Sequence, residues 1–457
     1  MGIDILLQLL YNGKMELVPL KERISKVSLP ALFSLFSFLL VRGGDETTLI
    51  VPPFSHTLGI NRVSSFYLDL YFGNFPIDDP QGIAVVKFRE EDDTTTARDD
   101  HILTVLGINS GQGQILYNVG LVKLDLFGKK GTGANEFLFP KGIAAHPNGD
   151  VYVADWGNNR IVKLKYRNKK LHWDRILFDS IARPYGVAVD SRNNLYFTES
   201  ESSRIYISDS IGNIIRIIKE DLSHPTAIAV IDRDDPNNFH REEFIAVIDL
   251  GNKRLQKFSL SGRLLEYTDV RGIGMSEAIF SYLAIDYYGN IFVTDSGQSQ
   301  IHKFDRFLNY LTSFGREGSG KNEFYKPRGI AIHKKYGQVF ISERQGGQYY
   351  WTGLDAYFLG AFPEIFNKEK PGTTLALYLT DVGEIEINIF DEKGNLVREI
   401  LPFITPRAGE FLVAWDGRDK KGELVGPGRY RIKMTCRLPY GGGKRFRKEM
   451  ETYVYAQ

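Results

Sequence analysis

The sequence predicts an all-β protein in which a six-bladed β-propeller is followed by a small β-sandwich. Two observations lead to this fold class. A unit of short strands with period-two alternation recurs six times, and residues 363–457 then continue as strands without that repeat. The alternation excludes helical solenoids. Each unit is therefore a small sheet that needs copies of itself to cover its two faces.

The clearest copy of the unit spans residues 140–164. An apolar run, a turn, a second alternating run and a polar corner predict antiparallel strands there. Successive copies are 41 to 60 residues apart, measured at an alanine that follows a branched residue in the first strand. This spacing is typical of propeller blades. The marker alanines are Ala84, Ala144, Ala188, Ala229, Ala284 and Ala331.

The sequence and spacing of these units resemble NHL repeats. The resemblance rests on segments such as Gly142-Ile-Ala, Val151-Tyr-Val-Ala-Asp155 and Asn159-Arg-Ile161, and it covers about residues 65 to 360. It implies a six-bladed ring. NHL rings serve as protein-binding scaffolds, as RNA-binding platforms and, more rarely, as lyases or hydrolases, so the resemblance implies a fold more than a function.

We expect the propeller to occupy residues 65–362 and to be closed by its first strand. Residues 65–72 read as a lone strand, which would join the last blade as its outermost strand. Such closure removes an exposed sheet edge.

Residues 363–457 are predicted to form a separate module. Short strands at close spacing favour a β-sandwich. Landmarks such as Trp415-Asp-Gly and Gly426-Pro-Gly-Arg-Tyr430 resemble the FlgD-type Ig-like domain, a flagellar hook-capping module that also ends many secreted bacterial proteins. Because Cys436 is the single cysteine, the core must depend on Trp415 and aliphatic residues instead of a disulfide.

The first 44 residues read as a leader. Basic residues precede an apolar run at 27–41, which is the order of a secretory signal and is short for a membrane span. We therefore expect a secreted or cell-surface protein with no integral membrane span in the mature chain. If residues 27–41 are not a signal, the protein would be periplasmic or cytoplasmic.

Carboxylates end the second strand in five of the six units. They are candidate ligand-binding residues at the channel rim. Equally, each would accept hydrogen bonds from its own corner or pair with the Arg or Gln five positions later, and repetition favours this structural interpretation. The five are Asp155, Glu199, Asp249, Asp295 and Glu343.

The first unit departs from this pattern. Gly107 stands where the carboxylate is expected, and Gln114 comes late. We include Asn109 from this irregular corner as a sixth candidate ligand-binding residue, because asymmetry is where ligand preference would enter.

Neither catalytic residues nor metal ligands are predicted. The eight histidines are scattered, which argues against the zinc site of lyase relatives. Residues 315–322 have Asn322 in place of the Ser or Thr that would hold magnesium in a phosphate loop. The acidic connections at residues 89–100 and 232–243 are candidates for Ca²⁺, although solvated loops are favoured because no calcium-ligand ladder exists. No other cofactor is expected.

A net charge of +1 gives no global attraction for nucleic acid, and the basic residues at 444–448 are interpreted as a solvated hairpin. The sequence thus predicts a non-enzymatic binding or scaffold protein. Its propeller face would bind a protein or a glycan, and the sandwich would serve in anchoring or assembly. Two alternatives stay open, an exported lyase or hydrolase with its site at the propeller axis and an RNA-binding ring.

Overall fold

The computed structural model describes residues 39–42, 46–52, 62–92, 95, 102–119, 123–404 and 406–457. Residues 40–457 form one compact unit. The expected leader, residues 1–44, lies almost entirely outside the described residues, so its role in export stays a prediction.

Within the described residues, five antiparallel sheets of four strands and a sixth of five strands confirm the propeller. Each of the first five blades is a run of four consecutive strands. Blade 1 contains Pro80–Val86, Thr104–Asn109, Gln114–Val119 and Lys123–Phe127. Blade 2 contains Ile143–Ala145, Asp150–Asp155, Arg160–Arg167 and Lys170–Phe178. Blade 3 contains Pro184–Val189, Leu195–Glu199, Arg204–Ser208 and Ile214–Ile218. Blade 4 contains Pro225–Ile231, Phe244–Asp249, Arg254–Phe258 and Leu264–Asp269. Blade 5 contains Phe280–Ile285, Ile291–Asp295, Gln300–Phe304 and Tyr310–Phe314.

The first strand of each blade is the innermost, and these strands meet around the axis. Pro80–Val86 contacts the first strands of both blade 2 and blade 6, which closes the ring. The strands approach so closely that a Cβ atom on Gly82 would lie 2.6 Å from the carbonyl oxygen of Lys141. Gly82 N–H donates to that oxygen at 2.9 Å. Glycine is therefore required at position 82, where the innermost strands of blades 1 and 2 touch.

Blade 6 is completed by residues that precede blade 1. Its strands Pro327–His333, Gln338–Glu343 and Gly346–Thr352 are flanked by Leu49–Ile50 and Arg62–Ser64, which both pair with Gly346–Thr352. Closure by the early part of the chain thus occurs as predicted in kind, but through different residues.

The prediction of a strand at residues 65–72 is wrong, because Ser65–Phe72 is an α-helix. Leu68 is buried whereas Phe66 and Leu70 are 64% and 66% exposed, so the three residues that a strand would place on one face are separated. The helix ends at Gly73, which adopts a positive φ of 63° and donates its N–H to Asp69 O. Aromatic and aliphatic residues without a turn signal read equally well as strand, and tertiary packing decides for helix.

The remaining strands form the two sheets of the C-terminal sandwich. One sheet contains Ala356–Phe362, Thr373–Leu379 and Gly409–Trp415. The other contains Leu39–Arg42, Phe446–Ala456, Gly428–Arg437, Glu384–Phe390 and Leu396–Ile404, with Ile365–Phe366 beside Phe446–Ala456. Trp415 is buried in the core as expected, packs against Phe366 and Tyr430, and donates its indole N–H to Arg418 O.

The predicted boundary at residue 363 falls too late. Ala356–Phe362 pairs with Thr373–Leu379, so this strand belongs to the sandwich and not to the last blade. The sequence signal of the blade ends gradually here, because the strand follows blade 6 after a short connection and has similar apolar content.

Several short elements lie between the longer strands of the described residues. Two parallel two-stranded ladders, Lys129–Lys130 with Glu136–Phe137 and Arg316–Glu317 with Glu323–Phe324, precede blades 2 and 6. The short 3-10 helices are Arg89–Glu91, Ser110–Gln112, Trp156–Asn158 and Gly443–Arg445.

The ring has two different faces. The corner face is the one at which the first strands begin and the second strands end, and it carries the predicted corner carboxylates. The hairpin face is the opposite one, with the turns between first and second strands. The sandwich contacts the hairpin face at blades 5 and 6, where Tyr440 stacks on Tyr287 at 4.7 Å and Gly442 N–H donates to Tyr336 O. These contacts leave the sandwich away from the corner face.

Candidate functional site

The predicted corner residues occupy equivalent places at the ends of the second strands. Each accepts a backbone N–H from the segment that leads into its own blade, at 2.7 to 2.8 Å. The exposed fraction of each residue is 5% or less. The acceptor and donor pairs are Asn109 with Asp78, Asp155 with Leu138, Glu199 with Ala182, Asp249 with Ser223, Asp295 with Ile279, and Glu343 with Tyr325.

Asp155 illustrates how fully a corner carboxylate is used. Its Oδ1 accepts Leu138 N–H, and its Oδ2 accepts both Asn158 Nδ2–H at 2.7 Å and Arg160 Nε–H at 2.8 Å. Burial raises the pKa of Asp155 despite these bonds. The carboxylate thus fastens the start of its blade to the corner, which agrees with the structural interpretation of the repeat.

The surroundings of the corners differ in detail. Burial acts to raise the pKa of Asp295, but the hydrogen bonds from His302 and from backbone N–H groups outweigh it and leave this pKa lowered. Burial raises the pKa of Asp249. Ligand binding by the six corner residues stays a prediction.

The irregular first corner of the sequence analysis is regular in the structure. Asn109 pairs with Gln114 across the corner, just as Asp155 pairs with Arg160. Asn109, and not Gly107, therefore holds the carboxylate position. The predicted corner at Gly107 falls two residues too early, because the second strand of blade 1 extends to Asn109.

The last corner is shorter than predicted. The third strand of blade 6 opens at Gly346, which pairs with Glu343, while Gln348 lies opposite Ile341. Gln348 nevertheless donates Nε2–H to Glu343 at 2.9 Å from inside the strand. The predicted pair of Glu343 and Gln348 is therefore present, but Gln348 is not the first residue of the third strand.

The acidic connections use their carboxylates in hydrogen bonds and ion pairs. Buried Glu91 accepts from Tyr166 and Thr104, and Asp232 accepts two hydrogen bonds from Ser191. Among the described residues no group of three His, Cys, Asp or Glu side chains is arranged to hold a metal ion. Asp93, Asp99 and Asp100 of the first connection lie outside the described residues.

Residues 315–322, the segment that resembles a phosphate loop, form a connection between blades 5 and 6. Gly320 N–H donates to Glu323 Oε2 at 2.7 Å, so this backbone donor already serves an internal carboxylate. The basic residues at 444–448, however, do not form a solvated hairpin. Lys448 is buried and pairs with Asp355, and Arg445 lies over the ring of Trp351.

A break in sixfold symmetry lies at the axis, at a position that the repeat pattern of the sequence does not single out. Two residues before the marker alanine of the innermost strand, four blades have glycine and blade 4 has Ala227. Blade 5 has Tyr282 at this position. The Tyr282 hydroxyl contacts Gln81 Oε1 at 2.9 Å and Lys141 O at 3.0 Å, and these residues belong to blades 1 and 2. Tyr282 therefore crosses the axis and fills the channel.

Polar and charged side chains from other blades surround this plug. Tyr185 of blade 3 packs its ring 5.8 Å from that of Tyr282, and Lys141 Nζ lies 3.2 Å from Asp79 Oδ2. Burial lowers the pKa of Lys141, Asp79 acts against this shift, and the positive charge of Arg328 acts with it. We call Asp79, Lys141, Tyr185, Tyr282 and Arg328 the axial cluster.

The axial cluster is suited to binding more than to proton transfer. Burial raises the pKa of the Tyr282 hydroxyl well above its ordinary value and also raises that of Tyr185. A phenolate base is therefore disfavoured at this place. Lys141 and Arg328 instead supply positive charge, and hydroxyl and amide groups supply hydrogen bonds.

Comparisons with known proteins agree with the two parts of the fold. Residues 137–164 match the NHL repeat, and residues 364–437 match the FlgD Ig-like domain. No curated protein matches the chain.

Solved structures resemble the chain at low identity. A virginiamycin B lyase from Staphylococcus aureus is 15% identical with a TM-score of 0.40, and the match covers 55% of this chain and 76% of the lyase. A calcium-binding regucalcin from Agrobacterium tumefaciens is 14% identical with a TM-score of 0.42, over 61% of this chain and 90% of the regucalcin. PorZ, a surface component of the type-IX secretion system of Porphyromonas gingivalis, is 13% identical with a TM-score of 0.36, over 78% of this chain and 58% of PorZ. By its family matches and its strand topology, the chain combines an NHL-type β-propeller with a C-terminal FlgD Ig-like domain.

Proposed function

We propose that the protein is a non-enzymatic binding module of the bacterial surface or extracellular space, and that the corner face of its propeller binds a protein or a glycan. The observation that carries the proposal is Tyr282, whose side chain fills the channel and is held by groups from blades 1 and 2. A filled axis offers a surface for contact instead of a cavity for substrate.

The position of the sandwich supports the choice of face. The sandwich contacts the hairpin face through Tyr440 and through a buried pair between Lys303 and Asp381. The corner face therefore stays available to a partner while the sandwich serves in anchoring or assembly. Lys141 and Arg328 give the centre of the corner face positive charge, which favours partners that carry carboxylate or other anionic groups.

An extracellular place is supported by the match to the FlgD Ig-like domain. Among the described residues no helix is long and apolar enough to cross a membrane. Fractionation of cells that express the full chain with a C-terminal tag tests this part. Recovery of the chain in the cytoplasm alone would contradict it.

The binding face is tested with two full-length double variants of equal charge. Lys141→Ala with Arg328→Ala removes the cations of the axial cluster, and Arg192→Ala with Arg233→Ala removes two exposed cations from the hairpin face. Two kinds of probe are used. One is a set of immobilised bacterial surface polysaccharides, and the other is the set of secreted proteins that cross-link to the wild-type chain.

We expect at least tenfold weaker binding of the retained probe by the first double variant and wild-type binding by the second. Equal binding by both variants would contradict the assignment of the corner face. Consumption of a probe by the wild-type chain, detected as new products, would favour the lyase or hydrolase alternative.

A further inference from the structure

The junction between blades 1 and 6 contains a cavity of about 220 Å³. Blade 1 and blade 6 form its walls, and the helix Ser65–Phe72 covers it with Tyr67, Leu68 and Tyr71. This is the seam at which the two ends of the propeller meet. It lies apart from the axial cluster.

The cavity arises because blade 1 lacks a packing side chain. Gly107 lies opposite Leu116, a register position that the other second strands fill with Val, Phe or Ile. A Cβ atom on Gly107 would meet nothing closer than Leu116 O at 4.0 Å. The residues at the equivalent position are Val153, Phe197, Val247, Val293 and Ile341, and each is fully buried.

Blade 6 also lacks a side chain on the wall that faces Gly107. Gly347 pairs with Ser342 at the position where the five other blades have Ile or Leu. The equivalents are Ile115, Ile161, Ile205, Leu255 and Ile301. Two large side chains that would fill the seam are therefore missing from opposite walls of one cavity.

One wall residue brings a polar atom to this apolar place. Asn118 lines the cavity at the register position of Leu164, Ser208, Phe258, Phe304 and Tyr350. Its Oδ1 atom is buried and has no hydrogen-bond partner among the described residues. A buried acceptor without a partner costs free energy, which a donor from a ligand would recover.

The cavity opens to solvent beside the helix. Tyr71 and Val63 line it and are 45% and 39% exposed. A cavity of about 150 Å³ with apolar walls is large enough for benzene, so this one has room for a single aromatic ring with a small substituent.

We propose that the seam between blades 1 and 6 is a binding site for a small aromatic molecule with one hydroxyl or N–H donor. The ring occupies the space left by Gly107 and Gly347, and the donor binds Asn118 Oδ1. This site is distinct from the axial cluster, with which it shares no residue.

The test compares phenol with toluene, which has nearly the same shape but no donor, by calorimetric titration of the full chain. We expect phenol to bind one molecule per chain, about fivefold more tightly than toluene, as one neutral hydrogen bond to a buried acceptor allows. Failure of the wild-type chain to bind either compound would overturn the proposal.

Two variants place the site. Gly107→Val restores the residue type of the neighbouring seams and is expected to abolish binding of both compounds while the chain stays folded. Asn118→Leu is expected to keep toluene binding and to remove the preference for phenol. Gly426→Val adds the same side chain as Gly107→Val at a position where nothing lies within 4 Å, and should bind like the wild type. Retained binding in Gly107→Val, or an unchanged phenol preference in Asn118→Leu, would contradict the assignment.

Discussion

Fully buried aspartates occur both in the corners of the blades and between the propeller and the sandwich, and the two places neutralise them differently. The carboxylate oxygens of Asp155 accept hydrogen bonds from its own blade and from the segment leading into it, and Arg160 is its cation. Asp381 instead pairs with Lys303 across the domain contact, and Asn290 donates to both Asp381 and Asp286. Repeated acids make each blade self-contained, whereas the shared set makes the two domains depend on each other.

The strongest way to break this comparison is Lys303→Met. Lys303 and Asp381 are fully buried, and removal of the lysine leaves the buried Asp381 carboxylate without its cation. We expect a loss of about 3 to 5 kcal/mol in the free energy of unfolding, measured by denaturant titration. Lys257→Met is the control, because Lys257 pairs with the partly exposed Glu242. Equal losses in both variants would show that the interdomain pair has no special weight.

Asp155→Ala tests the self-contained corner. It leaves Leu138 N–H and Arg160 Nε–H without their acceptor, so we expect a loss of about 1 to 3 kcal/mol. Asp155→Asn should cost less, because Asn109 performs the same task in blade 1 through its Oδ1 atom. A loss as large for Asn as for Ala would mean that charge, and not the accepted N–H, matters in the corner.

The pH dependence sharpens the contrast. Burial and the nearby charge of Asp381 raise the pKa of Asp286 to about 7. Between the ordinary aspartate value near 4 and this value the folded protein holds a proton that the unfolded chain releases, so the contribution of Asp286 to stability falls as pH rises to 7 and is constant above it. The wild type minus Asp286→Asn difference in Tm should therefore shrink by a few degrees from pH 5 to pH 8. A flat difference would show that Asp286 ionises normally.

The smallest effect is expected at the axis. Tyr282→Phe keeps the ring in the channel but removes the hydroxyl that contacts Gln81 and Lys141 O. We expect a loss of about 1 kcal/mol in unfolding free energy and unchanged partner binding. Tyr282→Ala, which opens the channel, is the comparison, and a Phe variant as damaged as the Ala variant would argue against the ring as the plug.

Features carried by repetition or by a local motif could be predicted from the sequence. The six blades, five of the six corner positions and the burial of Trp415 follow from alternation, spacing and turn residues. The helix Ser65–Phe72 could not be predicted, since a segment in which six of eight residues are apolar or aromatic, without alternating burial, fits two conformations.

The features that break symmetry were harder to predict. Tyr282 looks like one substitution in one repeat, and only the ring geometry brings it to blades 1 and 2. The seam cavity depends on Gly107, Asn118 and Gly347, and their meaning appears only when the strands are set in register. With the corner of blade 1 predicted at Gly107 instead of Asn109, the missing side chain at Gly107 is not recognised.

Completion of blade 6 has a consequence for synthesis. Leu49–Ile50 and Arg62–Ser64 leave the ribosome before blade 1, yet their partner Gly346–Thr352 emerges almost 300 residues later. Thr47 and Thr48 moreover bind Asp355, which also pairs with Lys448 of the sandwich. The nascent chain therefore cannot finish the ring until translation has passed blade 6, and the same early residues join in fastening the sandwich once it emerges.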